Sequence, residues 1–223
     1  MPSLYRRFVR LAFHLLYNEL AFTYDAVAWL VSFGQWRAWG RTTLDRVRGP
    51  RVLELGHGPG HLLIELGRTG QHQPIGVDVS PHMIAQAQRR IKRAGLSIPQ
   101  VRCSVDALPF RSGVFDSAVA TFPTEYIANP RTLAEVARVT TERGRLVVVM
   151  GAMFGRQTTS TRLVDWLYRI TGQREPSVEA EPDVFTRLGL AAHVEAEVVD
   201  GNTVTIVVAE KLTPDNTTAT ARD

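Results

Sequence analysis

The chain has 223 residues, a formal net charge of +4 and 44% hydrophobic residues, which excludes a wholly disordered chain and leaves room for one α/β domain. A single cysteine, Cys103, excludes an internal disulfide and a cysteine-cluster metal site, and we predict that it is a small buried hydrophobe. No apolar run is long enough for a transmembrane helix, and no signal peptide is recognisable. We therefore expect a cytoplasmic protein.

The positive charge is confined to the start of the chain. Residues 1–50 contain seven arginines and three acidic residues, whereas residues 51–223 contain 19 basic and 19 acidic residues. A nucleic-acid-binding surface would spread its arginines and lysines over the domain. The distribution therefore predicts a local role for the N-terminal segment and no nucleic-acid partner.

The first 20 residues have the pattern of a cationic amphipathic helix. On a helical wheel Arg6, Arg7, Arg10 and His14 share one arc, and apolar side chains fill the other side. Such a helix can lie in a membrane interface, cover the domain as a lid, or form a dimer contact. These three roles stay open, so the predicted partners include a peripheral membrane surface contacted by residues 1–20, and the chain is predicted to be a monomer or a homodimer.

From Arg51 onward, short apolar runs alternate with helical patterns. The predicted strands are 51–55, 74–79, 100–103, 115–120 and 145–150, and the predicted helices are 61–68, 81–94 and 129–139. Ser80 followed by Pro81 is a favourable start for the second of these helices. Alternating strands and helices predict a parallel sheet with right-handed crossovers.

The end of the chain changes pattern. After a helical stretch at about 160–171, the runs 193–199 and 204–209 flank Asp200-Gly201-Asn202, a hairpin signal. The predicted fold class is therefore α/β, with a doubly wound, mostly parallel seven-stranded sheet ending in an antiparallel hairpin. The predicted organisation is an N-terminal helical segment at 1–48, a ligand-binding domain at 49–212 and a disordered tail at 213–223.

A glycine-rich turn follows the first predicted strand, in the sequence Glu54-Leu55-Gly56-His57-Gly58-Pro59-Gly60. Glycines at alternate positions allow a tight turn and close approach of a ligand, and the following helix offers unpaired N–H groups. The dinucleotide fingerprint would need a glycine where His61 stands, and a P-loop would need a lysine. Asp78, at the end of the second strand, can accept both hydroxyls of a ribose. The cofactor is therefore predicted to contain a nucleoside.

These residues resemble the first two motifs of the class I S-adenosylmethionine-dependent methyltransferases. The family pattern E-x-G-x-G-x-G is similar to 54–60, and Asp78 falls on the acid that holds the ribose. Two further matches follow in order, at 106–110 with Phe115-Asp116, and at 135–149. The resemblance implies a Rossmann-like methyltransferase fold with S-adenosylmethionine as cofactor and S-adenosylhomocysteine as product.

The sequence departs from the family pattern at two places. Ser104 stands where the family often has an acid or amide that contacts adenine, so Ser104, Asp106 or the backbone at Val105 is expected to take that role. Glu142-Arg143-Gly144 replaces the usual Pro-Gly-Gly before the fifth strand, and we expect this to change only the detail of a turn.

The N-terminal segment is similar to that of the ubiquinone and menaquinone biosynthesis methyltransferases. The residues that carry this similarity are Tyr24, Asp25, Ser32, Gly34, Trp36 and Trp39. The resemblance implies that this segment packs over the cofactor as a partial lid. It favours a small-molecule or lipid-like methyl acceptor, with quinone precursors and phospholipid head groups leading.

The resemblance and the position of the strand ends give the candidate site. The predicted cofactor-binding residues are Tyr24, Glu54, Gly56, His57, Gly58, Gly60, Asp78, Val79, Ser104, Val105, Asp106 and Thr121. On the acceptor side Phe122 and Tyr126 are expected to position the substrate, and Glu125 to take a proton from a hydroxyl or acidic carbon. The two histidines that flank the glycines lack a third ligand at a suitable spacing, so no metal site is predicted.

Two other functional classes stay open on the sequence. A nicotinamide-dependent oxidoreductase shares a strand, a glycine turn and an acid, but needs space for a pyrophosphate where 59–61 lie. A non-catalytic binding protein on a methyltransferase fold would keep the core and lose its affinity for the cofactor. The intact glycines and Asp78 argue against that loss.

Overall fold

The computed structural model describes Ser32, residues 34–155 and residues 190–211. The predicted N-terminal helix, the helical stretch at 160–171, the C-terminal tail and Tyr24 lie outside these residues.

The described elements alternate as the sequence predicts. The seven strands are β1 (Arg51–Leu55), β2 (Gln73–Asp78), β3 (Gln100–Arg102), β4 (Phe115–Thr121), β5 (Thr140–Phe154), β6 (Leu190–Val199) and β7 (Asn202–Lys211). The helices are α1 (Trp36–Arg41), α2 (His61–Arg68), α3 (Pro81–Arg93) and α4 (Pro130–Val139), with a 3-10 helix at Glu125–Ala128.

All seven strands form one sheet in the order β3-β2-β1-β4-β5-β7-β6. The first five strands of that order are parallel to one another, and β7 runs antiparallel to both β5 and β6. This confirms the predicted doubly wound sheet that ends in an antiparallel hairpin. In such a sheet the ligand binds beyond the carboxyl ends of the strands, near the point where the strand order reverses. Here that point lies between β1 and β4.

The central strands are buried because helices cover both faces of the sheet. On one face Leu133 and Val136 of α4 pack with β1 and β4. On the other face Trp39 of α1 packs with Leu62 and Leu66 of α2 against β1, β4 and β5. The helices are thereby fixed against the strands whose carboxyl ends carry the candidate site.

Several predicted boundaries were wrong by a residue or more. The largest difference is β5, predicted at 145–150, which extends in both directions because Thr140 pairs with Phe115 and Phe154 pairs with Asn202. The segment 142–144, predicted to be a turn, therefore lies within the bounds of β5, in an irregular stretch between the residues that pair with Phe115 and Ser117 of β4. β2 ends at Asp78, one residue before its predicted end.

The helix and hairpin signals are confirmed. Ser80 caps α3, where its hydroxyl oxygen accepts a hydrogen bond from the Met83 N–H at 3.3 Å. In the hairpin, Asp200 and Gly201 have φ values of 48° and 77°, as the two-residue turn that matches the strand twist requires.

The described part of the N-terminal segment is joined to the sheet. Trp39 is 1% exposed and belongs to the core. The backbone N–H of Arg48 donates to Ser117 Oγ at 2.7 Å, and Arg46 forms ion pairs with Glu195 and Glu197, both at 2.7 Å. Residues 34–48 therefore pack on the domain.

Two further sequence-based expectations concern exposure. Cys103 is half-buried, packed against the core rather than within it, because β3 is a short strand at the edge of the sheet; burial raises the pKa of its thiol. Among the described helices, none combines the length and apolar character that crossing a membrane requires.

Candidate active site

The glycine-rich turn connects the carboxyl end of β1 to α2. Gly56, Gly58 and Gly60 all have positive φ values, of 61°, 52° and 79°, a region that residues with side chains rarely adopt. A Cβ atom on Gly60 would lie 2.7 Å from Ala87 Cβ, and one on Gly56 would lie 2.8 Å from the Tyr126 hydroxyl oxygen. A Cβ atom on Gly58 would meet no atom within 4 Å. The outer two glycines therefore allow close packing, whereas Gly58 leaves space for a ligand.

Asp78, at the end of β2, holds this turn in place. Its Oδ2 accepts a hydrogen bond from the Gly58 N–H, and its Oδ1 accepts one from the Ser80 N–H, both at 2.8 Å. The side chain is buried, so the carboxylate fixes the turn and the start of α3 together. Each oxygen keeps a second lone pair, which is what a ribose hydroxyl needs.

Glu54, in β1, is a buried acid beside the turn. Burial raises its pKa well above its usual range, and the nearby Asp78 charge raises it further, while the Leu63 N–H lowers it. Its Oε2 has no hydrogen-bond partner among the described residues. A buried oxygen without a partner next to an open turn suits a positively charged group of a ligand.

His57 is also buried, and its role in the structure is to shape the turn. Its Nδ1 lies 2.8 Å from the Gly58 carbonyl oxygen, and its ring occupies the space where a Cβ of Gly76 would lie. Burial lowers the pKa of the imidazole, although the Asp78 charge acts against that shift. His57 therefore packs as a neutral ring behind the turn.

An open cleft lies in front of the turn. Six residues that the sequence predicts for the site line this cleft, namely Glu54, Gly56, His57, Gly58, Thr121 and Phe122. The others are Trp36, Arg37, Gly40, Arg41, Pro59, His61, Leu62 and Glu65. The structure thus brings the ends of β1 and β4 together with one side of α1 and the start of α2.

Phe122 forms an aromatic wall of this cleft with Trp36. Their ring centroids are 3.8 Å apart, and the centroid of the Trp39 ring lies 6.2 Å from that of Phe122. Phe122 has a φ of 51°, which is strained for a bulky side chain, and its N–H donates to the Val149 carbonyl at 2.7 Å. The packing of β4 against β5 therefore holds the ring at the edge of the cleft.

The other two acceptor-side candidates belong to the 3-10 helix after β4. The Tyr126 hydroxyl donates to the Leu55 carbonyl oxygen at 3.2 Å, so its ring lies against the glycine turn. Glu125 begins the same helix, and its predicted role as a proton acceptor stays a prediction.

The remaining predicted cofactor residues lie beyond β2 and β3. Val79 is 60% exposed, Val105 is buried, and Ser104 and Asp106 are exposed. The Cys103 N–H donates to the Asp78 carbonyl at 3.2 Å, which places residues 104–106 next to the end of β2. Val79 and residues 104–106 do not line the cleft in front of the glycine turn.

Sequence reasoning missed the residues that support the loops. Glu135 Oε2 accepts from the Leu108 N–H at 2.8 Å, and Arg138 donates to the Phe110 and Leu108 carbonyls at 2.7 and 2.9 Å. The hydrogen bond from Arg138 lowers the pKa of Glu135. Glu135 and Arg138 are three residues apart on α4, a spacing that predicts an ion pair from the sequence. It does not predict that the pair holds the loop after β3.

Arg90 of α3 is a second missed support, since it donates to the Pro59 carbonyl in the glycine turn at 3.1 Å. Arg37, Arg41, His61 and Glu65 line the cleft without having been among the predicted site residues.

Comparison with known proteins agrees with this geometry. Residues 52–144 match the model of a methyltransferase domain family, and that range contains the glycine turn, Asp78 and the end of β4. A solved structure of geranyl diphosphate C-methyltransferase from Streptomyces coelicolor, in complex with Mg²⁺, geranyl diphosphate and S-adenosyl-L-homocysteine, has the same fold. Its TM-score is 0.61 at 15% identity, over 78% of each chain.

Two curated relatives are similar in sequence. The chain is 34% identical over 139 residues to demethylmenaquinone methyltransferase from Thermus thermophilus, covering 60% of this chain and 63% of the relative. It is 30% identical over 142 residues to the ubiquinone/menaquinone biosynthesis C-methyltransferase UbiE from Serratia proteamaculans, covering 60% of this chain and 57% of the relative. The matches thus span less than two thirds of either relative's length.

The fold, the glycine turn with Asp78 and the family match define a class I S-adenosylmethionine-dependent methyltransferase. Within that class, the chain is similar to the ubiquinone and menaquinone biosynthesis methyltransferases. The predicted fold, enzyme class and cofactor are confirmed.

The residues of the cleft fit this cofactor. Gly58 leaves the space in front of the turn open, and Glu54 has a buried oxygen without a partner in the described chain.

Proposed function

We propose that this enzyme methylates a ring carbon of a reduced quinone of the demethylmenaquinone type. The observation that carries the proposal is the wall formed by Trp36 and Phe122, which stack 3.8 Å apart beside the glycine turn and line the same cleft. A flat, apolar ring can stack on such a wall, and aromatic contacts of this kind favour offset packing. The names of the similar methyltransferases favour the same acceptor.

We propose that the predicted cofactor residues share the binding of S-adenosylmethionine. The second lone pairs of Asp78 are available to ribose hydroxyls, Glu54 faces the amino-acid end, and Val79 with residues 104–106 forms the site for adenine. Thr121 lines the cleft as the last residue of β4. Tyr24 completes the predicted set, outside the described residues.

When bound, S-adenosylmethionine would supply an electrophilic sulfonium methyl group, so that an attacking ring carbon would bond to the methyl carbon and S-adenosylhomocysteine would leave as the carbon–sulfur bond breaks. The protein contributes binding and orientation more than acid or base chemistry. Trp36 and Phe122 hold the acceptor ring, and Gly58 allows the two reactants to approach because it has no side chain. The ring carbon loses one proton when it gains the methyl group, and Glu125 is the proposed acceptor of that proton.

The acceptor must be in its reduced form. A quinol ring carbon is electron-rich and can attack the methyl group, whereas the oxidised ring is electron-poor. The transfer itself is redox-neutral, because one carbon–hydrogen bond is replaced by one carbon–carbon bond and a proton leaves.

A coupled assay of S-adenosylhomocysteine release tests this proposal. The full chain is supplied with demethylmenaquinol, with the same compound kept oxidised, and with phosphoethanolamine as a phospholipid head-group acceptor. We expect release that depends on the enzyme with the quinol alone. Equal release with phosphoethanolamine, or none above background with the quinol, would overturn the proposed acceptor.

A further inference from the structure

Besides the buried His57, three side chains that can carry positive charge line the cleft, namely Arg37, Arg41 and His61. The Arg41 guanidinium is already engaged, since its Nη2 lies 2.9 Å from Glu65 Oε1. His61 has an interaction of its own. Arg37 is exposed and forms no ion pair within the part of the chain that the structure describes.

The other arginines within residues 34–48 form ion pairs with acidic residues. Arg46 pairs with Glu195 and Glu197, and Arg48 pairs with Glu210 at 3.3 Å. Of the four arginines within 34–48, Arg37 alone is not matched by an acid among the described residues. It is also one of the two that line the cleft.

The cofactor carries an anionic group that can pair with Arg37. The amino-acid portion of S-adenosylmethionine carries one ammonium group and one carboxylate. Glu54 offers a buried oxygen without a described partner at the end of β1, which suits the ammonium group. Glu65, the other acid that lines the cleft, is paired with Arg41, so Glu54 is the acid available for the ammonium group and Arg37 is the cation available for the carboxylate.

We propose that Arg37 binds the α-carboxylate of S-adenosylmethionine and so determines that the enzyme selects a cofactor with an intact amino-acid end. A guanidinium can donate two parallel hydrogen bonds to a carboxylate, a geometry that an ammonium group does not reproduce. This proposal rests on the cofactor assignment and is independent of which acceptor is methylated.

Isothermal titration calorimetry with two ligands tests the proposal on the full chain. The first ligand is S-adenosylmethionine, and the second is decarboxylated S-adenosylmethionine, which keeps the adenosine, the sulfonium and the amine. For Arg37→Ala we expect affinity for the first ligand to fall roughly 10- to 100-fold, the effect of losing a hydrogen bond to a charged group. Affinity for the decarboxylated ligand should change by less than about twofold.

Two control variants separate the carboxylate contact from other effects. Arg37→Lys keeps the charge and should recover part of the affinity for S-adenosylmethionine. Arg89→Ala removes an exposed arginine of α3 that does not line the cleft and should bind both ligands as the unmodified chain does. Circular dichroism of each variant confirms that the fold is kept.

Three results would overturn the proposal: unchanged binding of S-adenosylmethionine by Arg37→Ala, an equal loss for both ligands, or an unmodified chain that does not distinguish them. Because binding is read without any acceptor, a negative result here leaves the quinol proposal to its own assay.

Discussion

At the scale of single residues, the three glycines of the turn have different roles although all have positive φ. Gly60 packs against Ala87, so a side chain there meets backbone strain and a steric clash. Gly58 meets no atom, so its role lies with the ligand.

Alanine substitutions should therefore separate stability from binding. We expect Gly58→Ala to destabilise the fold by about 1 to 2 kcal/mol, the cost of a left-handed backbone, while S-adenosylhomocysteine affinity falls roughly tenfold or more. Gly60→Ala should be clearly less stable, because the Ala87 Cβ lies only 2.7 Å from the new Cβ. Urea unfolding and calorimetry measure both effects. Equal stability of the two variants, or unchanged affinity in Gly58→Ala, would contradict the assigned roles.

Glu54 gives a pH dependence whose sign can be derived. Its pKa in the folded protein is raised above the ordinary value of 4.5, mainly by burial. The folded state therefore holds a proton that the unfolded chain has released, so this group lowers stability as pH rises from the ordinary value through the folded one. Glu54→Gln removes the ionisation, so its stability relative to the unmodified chain should increase as pH rises above the ordinary pKa of 4.5. Urea unfolding at a series of pH values above 4.5 tests this, and parallel curves would show that folding does not raise the pKa of Glu54.

At the scale of elements, the segment from β4 to the 3-10 helix connects the acceptor side to the cofactor side. Phe122 forms the aromatic wall, and Tyr126 contacts the Leu55 carbonyl at the glycine turn four residues later. A strained φ at Phe122 is consistent with a functional position, since strain of this kind persists where the surrounding structure enforces it.

Two substitutions of Phe122 test the wall. Phe122→Leu keeps an apolar side chain but removes the flat ring, and Phe122→Gly removes the ring while relieving the backbone strain. For both we expect kcat/KM for the quinol to fall about tenfold or more, with S-adenosylhomocysteine affinity unchanged. Thermal unfolding separates any loss of packing from the kinetic effect. Full activity in Phe122→Leu would show that the ring does not contact the acceptor.

The glycine turn, Asp78 and the cap at Ser80 could be predicted from the sequence because each depends on residues close together in the chain. The length of β5 could not, since its ends are set by pairing with Phe115 and Asn202. Arg37 and the pair of Glu135 with Arg138 were missed for the same reason, as their roles depend on elements distant in sequence.

At the scale of the whole molecule, the positive charge of the first 50 residues is partly balanced by acids of the domain. The described ion pairs join Arg41 to Glu65, Arg46 to the hairpin and Arg48 to Glu210. These arginines therefore mainly attach residues 34–48 to the domain. The sequence could show the excess, but not where its partners lie.

Arg46 should contribute most to this attachment. Its side chain is 16% exposed and contacts two carboxylates, whereas the Arg41 side chain is 57% exposed and contacts one. We expect Arg46→Met to cost about 1 to 3 kcal/mol of unfolding free energy. The matched variant Arg41→Met should cost less than about 0.5 kcal/mol, as exposed pairs do. Urea unfolding measures both, and equal losses would show that burial does not distinguish the two pairs.

The central proposal is that this methyltransferase places a methyl group on a quinol ring carbon. The most direct test is ¹³C NMR of the product formed by the full chain from demethylmenaquinol and S-adenosylmethionine labelled in its methyl group. We expect a single labelled methyl carbon bonded to an aromatic ring carbon, formed only with enzyme. A label found on oxygen, or no label in the quinol fraction, would contradict it.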